Sequence, residues 1–130
     1  MLSWSIIFLI VALIAACTTA TPTHARPAPC GGRTVKATIW CAVHHYGYVP
    51  GGIRTALYIA ERESGFNPQA VSYTGCCFGV YQWHHDTWAT LIERWPEMNR
   101  LYGTNVFNAR ANIMRAIRTA HESGWGPWSM

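Results

Sequence analysis

The chain carries six carboxylates, Glu61, Glu63, Asp86, Glu93, Glu97 and Glu122, and one of them is placed for proton chemistry. Ile53, Ala56, Ile59 and Ala60 recur at helical spacing, and Glu63 continues that apolar stripe. Glu61 points the other way, beside Arg54 and Tyr58. Gly65 is the expected helix stop, and Pro68 prevents the helix from resuming. A carboxylate in a last turn faces the negative end of the helix dipole, and an apolar setting penalises its charged form. Those are two physical conditions that fit a carboxyl for general-acid work. A solvated acid at a frayed helix end is the plain alternative.

The residues that follow bear on that choice. Glu63-Ser64-Gly65-Phe66-Asn67-Pro68 leads to Ala70-Val71-Ser72, then Gly75, then Gly79-Val80-Tyr81-Gln82, then Thr87-Trp88. This ordered series resembles the soluble lytic transglycosylase family, whose fold is lysozyme-like. It looks most like short secreted members from actinobacteria and their phages. The resemblance covers most of the chain after about residue 34.

The resemblance implies a one-acid mechanism on peptidoglycan, with Glu63 as the catalytic residue. A single Glu protonates the oxygen bridging N-acetylmuramic acid and N-acetylglucosamine, and the substrate's N-acetyl group stabilises the charge developing at the anomeric carbon. The resulting carboxylate takes the proton of the C6 hydroxyl, which closes on that carbon to give a 1,6-anhydro product. Ser64 matches the Glu-Ser pair of the family. Gln82 matches the Gln that reaches the substrate, and Gly79 the position where backbone runs along the cleft floor close to sugar. Ser72 and Tyr81 are candidate sugar contacts. Asn112-Ile113 with Ala116 matches the helix backing the cleft. For Tyr81 a core aromatic, and for Asn112 a satisfied structural amide, are the competing readings.

The supply of acids fits such a mechanism. Glycoside cleavage usually uses two carboxylates, about 5–5.5 Å apart for retention or roughly 6.5–9.5 Å apart for inversion. Here Asp86 reads as a helix cap, and Glu93, Glu97 and Glu122 fall on helix faces away from the apolar stripes. One feature departs from the family. Its larger members carry a Tyr in an Ala-Tyr-Asn-Ala-Gly type of segment near the end, where this chain has His121-Glu122-Ser123-Gly124-Trp125-Gly126-Pro127-Trp128. Trp125 either closes the cleft or covers the core, and Trp128 is expected to cover the core. Without that Tyr, two alternatives stay open. One is a hydrolytic muramidase of the resuscitation-promoting type, which shares the Glu-Ser-Gly, Gly-x-Gln and Thr-Trp segments. The other is a non-catalytic cell-wall-binding protein of the same fold. No cofactor is expected. The six histidines include two adjacent pairs, His44-His45 and His84-His85, whose side chains are expected to diverge, so no metal site is expected either.

The frame that must hold these residues is small. With 130 residues, one domain is expected. Residues 1–25 read as a signal peptide or lipoprotein signal, because Leu2 to Ala16 is almost wholly apolar and a Thr-, Ala- and Pro-rich spacer follows. Thr23-His24-Ala25 offers a cleavage site for free secretion. Ile14-Ala15-Ala16-Cys17 resembles a lipobox, and a lipidated Cys17 would attach the chain to a membrane. Residues 26–33 read as linker and 34–130 as the domain. No charged side chain precedes Arg26, so the formal net charge of +4 belongs to that domain and suits an anionic polymer. No Lys/Arg run or nucleic-acid module is present, which argues against nucleic acid. An exported monomer acting on glycan strands is the expectation.

Besides Cys17 there are four cysteines, Cys30, Cys41, Cys76 and Cys77, an even number that reads as two disulfides. Because a bond between neighbours is geometrically unfavourable, Cys76 and Cys77 are each expected to pair with one of Cys30 and Cys41. The fold class is mainly α within the lysozyme-like α+β superfamily: about five helices and an irregular active-site loop, stapled by disulfides. Helices are expected over Thr34–Tyr46, Ile53–Ser64, from an Asp86 cap to Trp95, over Glu97–Tyr102 and over Asn105–Ser123. Phe78–Trp83 reads as a strand or turn. On the last helix Arg110, Arg115 and Arg118 are expected to face largely toward solvent.

Overall fold

A computed structural model describes residues 27–129. The apolar leader, both cleavage sites and Cys17 lie outside the described residues. The order is α1 (Val35–Tyr46), α2 (Gly52–Ser64), β1 (Cys77–Phe78), β2 (Trp83–His84), α3 (His85–Arg94), α4 (Pro96–Tyr102) and α5 (Ala109–Ser123), closed by a 3-10 turn at Gly126–Trp128. The described residues are therefore mainly helical, with five α-helices and one minimal antiparallel hairpin pairing Cys77 with His84 and Phe78 with Trp83. No helix among the described residues is long and apolar enough to cross a membrane.

Each helix begins and ends for a local reason. Thr34 caps α1, its hydroxyl accepting from Ala37 N at 3.3 Å. α2 stops at Gly65, which adopts the left-handed conformation (φ 60°) that glycine tolerates best. Pro96 opens α4 at a position where a missing N–H costs nothing. α5 is the central element. It packs on α1 and on α4, while α1 also packs on α2. Ile39, Ile59, Val80, Tyr81, Ile113, Met114 and Ile117 are wholly buried in the single apolar cluster these helices enclose.

Several expectations are corrected here. Asp86 does not cap α3; His84 does, its Nδ1 accepting from Asp86 N at 3.2 Å, and Asp86 lies exposed in the first turn. α5 starts at Ala109 rather than Asn105, because both asparagines offer a side-chain acceptor and each takes a different share. Asn105 Oδ1 accepts from Phe107 N at 2.9 Å in a turn, and Asn108 Oδ1 accepts from Ala111 N at 3.0 Å as the true cap.

Arg115 does not face solvent. It is wholly buried and donates to Ala111 O (3.1 Å), Asn99 Oδ1 (2.7 Å) and Gly103 O (3.0 Å), with its guanidinium 4.7 Å from the centre of the Trp88 ring. α5 is covered on both sides, so its polar stripe is buried along with its apolar one, and neutral acceptors compensate the charge.

The disulfide pairing is also corrected. The bonds join Cys30 to Cys41 and Cys76 to Cys77. Cys30, in a left-handed turn (φ 64°), folds back onto the middle of α1, where Cys41 lies with its Cα 5.6 Å away. That local closure satisfies both cysteines without reaching the hairpin, and leaves Cys76 and Cys77 to each other.

Candidate active site

A cleft of about 480 Å³ opens between the end of α2, the loop to β1, the hairpin and the C-terminal turn. Glu63 lines it together with Ser72, Cys77, Gln82, Trp83, His84, Thr87 and Trp128, over a floor completed by Ala70, Val71 and Pro127. None of the other five acids lines it. The Gly65 stop places Glu63 at this mouth by ending the helix one turn after the last buried residue of α2.

Glu63 is not surrounded by apolar groups alone. Its side chain is 24% exposed, and Arg62 donates to one carboxylate oxygen, Oε1, from Nη2 at 2.6 Å and Nε at 3.1 Å. The same Nη2 lies 3.0 Å from Trp128 O, so Arg62 ties the end of α2 to the C-terminal turn. Oε2 accepts no hydrogen bond among the described residues, and it is the oxygen left for a ligand.

The hairpin supplies the facing wall. Gln82 sits at φ 50°, a left-handed conformation uncommon for a side chain of its size. That turn brings its amide back over the loop, where Nε2 donates to Ala70 O (3.1 Å) and Gly79 O (2.9 Å). Its Oε1 has no partner among the described residues and is an open acceptor on the cleft wall. Ser72 Oγ accepts from Cys76 N and Cys77 N, both at 3.2 Å, which fixes the vicinal disulfide at the rim. Trp83 and Trp128 meet edge to face with ring centres 4.8 Å apart and present little more than their edges to the cleft.

Five sequence-derived positions take other places. Ser64 Oγ lies 2.7 Å from Val80 O and 3.2 Å from Ala60 O, bracing the hairpin against α2. Tyr81 is wholly buried and donates from its hydroxyl to Ala56 O at 2.9 Å; burial pushes its phenol well above the ordinary range, so it stays neutral. Asn112 is a fully satisfied structural amide. It accepts from Tyr81 N (3.0 Å) and donates to Phe78 O (3.2 Å) and Val106 O (2.9 Å). Gly79 (φ 77°) faces Asn112 rather than the cleft, since a Cβ there would stand 2.3 Å from Asn112 Nδ2 and 2.6 Å from Val106 O. Trp125 covers the core instead of the cleft: it stacks on Tyr81 and donates to Pro50 O at 2.7 Å.

Sequence reasoning passed over Trp83, His84, Thr87, Trp128 and Cys77 as cleft residues. The Thr87-Trp88 segment was the available signal for that wall, yet only Thr87 of the two reaches the cleft, Trp88 being buried with its Nε1 on Thr104 O at 2.9 Å. His84 and His85 do not diverge. Their rings stack with centres 4.4 Å apart, because His84 turns back to cap α3.

No protein-family profile, curated protein or solved structure matches this chain.

Proposed function

We propose that the protein is an exported, monomeric peptidoglycan lytic transglycosylase of lysozyme-like fold, using Glu63 as its one acid and base. The observation that carries the reading is a cleft lined by a single carboxylate, Glu63, together with the Gln82 amide. In this reading the glycan strand lies along the cleft, and Glu63 Oε2 delivers a proton to the bridging oxygen between N-acetylmuramic acid and N-acetylglucosamine. The bond from that oxygen to the anomeric carbon breaks, with the electron pair leaving on oxygen. The substrate's N-acetyl group supports the charge left on carbon. Glu63, now ionised, removes the C6 hydroxyl proton, and that oxygen bonds to the anomeric carbon. Protons and electrons balance without water, metal or a second carboxylate. Gln82 Oε1 accepts from a sugar hydroxyl or amide, and Arg62 orients the acid through Oε1.

The ion pair between Arg62 and Glu63 favours a second reading, a wall-binding cleft without turnover, because a paired carboxylate suits recognition at least as well as proton delivery. One experiment separates these readings: incubation of the protein with purified peptidoglycan, with released muropeptides identified by mass spectrometry. Anhydromuramyl ends are expected. Reducing ends would make the protein a hydrolytic muramidase, and retention on the wall without release would make it a binder. In the Glu63→Gln variant product release is expected to fall about 100-fold or more while wall binding persists, the loss typical of removing a general acid.

A further inference from the structure

Beside the Glu63 cleft, and independent of any reaction there, His84, His85 and Asp86 each present a metal-ligating atom within 4.8 Å of the other two. All three side chains are exposed, and His84 also lines the cleft. We propose that they form a site for a first-row divalent cation of the zinc or nickel class at the rim of the cleft.

Two imidazoles and one carboxylate are the donor set such ions prefer over calcium or magnesium, which favour oxygen ligands. A tetrahedral ion with bonds of about 2.1 Å holds its ligand atoms roughly 3.4 Å apart. The three atoms, within 4.8 Å of one another, reach that spacing by rotation of exposed side chains that unstacks the two rings. His84 Nδ1 accepts the Asp86 N–H at 3.2 Å, so the neutral ring holds its proton on Nε2; ligation through Nε2 moves that proton to Nδ1 and releases the cap. His85 Nε2 stands 3.0 Å from Asp86 Oδ1. A cation entering that gap replaces the proton the two atoms share, which passes to solvent or to Nδ1. Three protein ligands leave coordination positions open, and because His84 belongs to the cleft wall, the ion places positive charge at the cleft mouth.

The test is calorimetric titration of the full chain with zinc and, separately, nickel chloride. One saturable equivalent is expected at this site. Binding should weaken tenfold or more in His85→Ala and in Asp86→Asn, the scale on which disturbing the supports of a metal site already acts, and should be unchanged in His44→Ala, which removes one of the other adjacent histidines. Nickel should broaden the ring-proton resonances of His84 and His85 before those of His44, His45 and His121. Because the altered side chains are exposed, unfolding temperatures are expected to stay near that of the parent, which separates ligand loss from misfolding. Absence of saturable binding, or binding that His85→Ala and Asp86→Asn leave unchanged, overturns the proposal. Neither result bears on muropeptide release, so the two readings fail separately.

Discussion

Asn112 and Gln82 are amides on opposite sides of the same hairpin, and they are used in opposite ways. On the buried side, both ends of Asn112 are engaged: Oδ1 accepts from Tyr81 N, and Nδ2 reaches Phe78 O and Val106 O. On the cleft side, Gln82 spends only its donor end, on Ala70 O and Gly79 O. The first amide fixes where the hairpin lies against α5, and the second keeps an acceptor for something outside the protein. A two-residue pair of strands has too few ladder bonds to hold itself. It is held by side chains on both faces, Asn112 from the core and Ser72 and Gln82 from the cleft, and the acceptor end of Gln82 is left open.

That contrast is tested most strongly by Asn112→Leu. The change leaves Tyr81 N, Phe78 O and Val106 O without their partner in the core. It should cost about 3 kcal/mol in denaturant unfolding, since each buried polar group left unpaired carries a penalty of its own. A smaller loss would mean that water enters behind the hairpin. Gly79→Ala attacks the same face through the backbone. The added methyl meets Asn112 Nδ2 and Val106 O at φ 77°, and about 2 kcal/mol of destabilisation is expected. Gln82→Ala should move stability by less than about 1 kcal/mol, because its bonds are only half-buried. It should weaken binding to glycan fragments, measurable by titration. A large stability loss without a binding change would show that the two faces are alike after all.

The smallest effect lies away from the hairpin. Glu97 pairs with Arg118, and that hydrogen bond holds its carboxyl below the ordinary range. A lowered folded value means that the stabilisation is present above the usual carboxylate range. It is lost as pH falls through the folded value. Thermal unfolding of Glu97→Gln should therefore show a shallower decline below about pH 4 than the parent does. Added salt should shrink the difference, because the pair is only partly buried.

What the sequence revealed follows from how far each cause reaches. The Thr34 cap, the Gly65 stop and the Pro96 start are set within one turn of chain, and they stand where composition places them. Glu63 in the last turn of a helix is legible for the same reason. The burial of Arg115 is not, because amphipathic patterning assumes one wet face and α5 has none there. The start of α5 is ambiguous because Asn105 and Asn108 are both competent caps, and the chain in between decides. Tyr81 lies in the turn between two strands of two residues and Trp128 in the C-terminal turn, so period-two patterning says nothing of which one reaches the cleft. Disulfide pairing depended on a turn at Cys30 whose positive φ belongs to a residue with no sequence mark for it.

The Cys30–Cys41 bond also decides how the domain would bear load. A pull applied at the N-terminal side reaches Cys30 and crosses at once to Cys41, bypassing the first half of α1. The bypassed residues form a covalent loop that carries no tension while the bond is intact. Force is delivered instead to the middle of α1, where Ile39, Ala42 and Val43 are buried and the helix lies on α5. The domain is thus gripped at a point inside its core rather than at a fraying end. Reduction of that bond would move the grip outward, turning a load that must shear two packed helices into one that peels α1 away from its first turn.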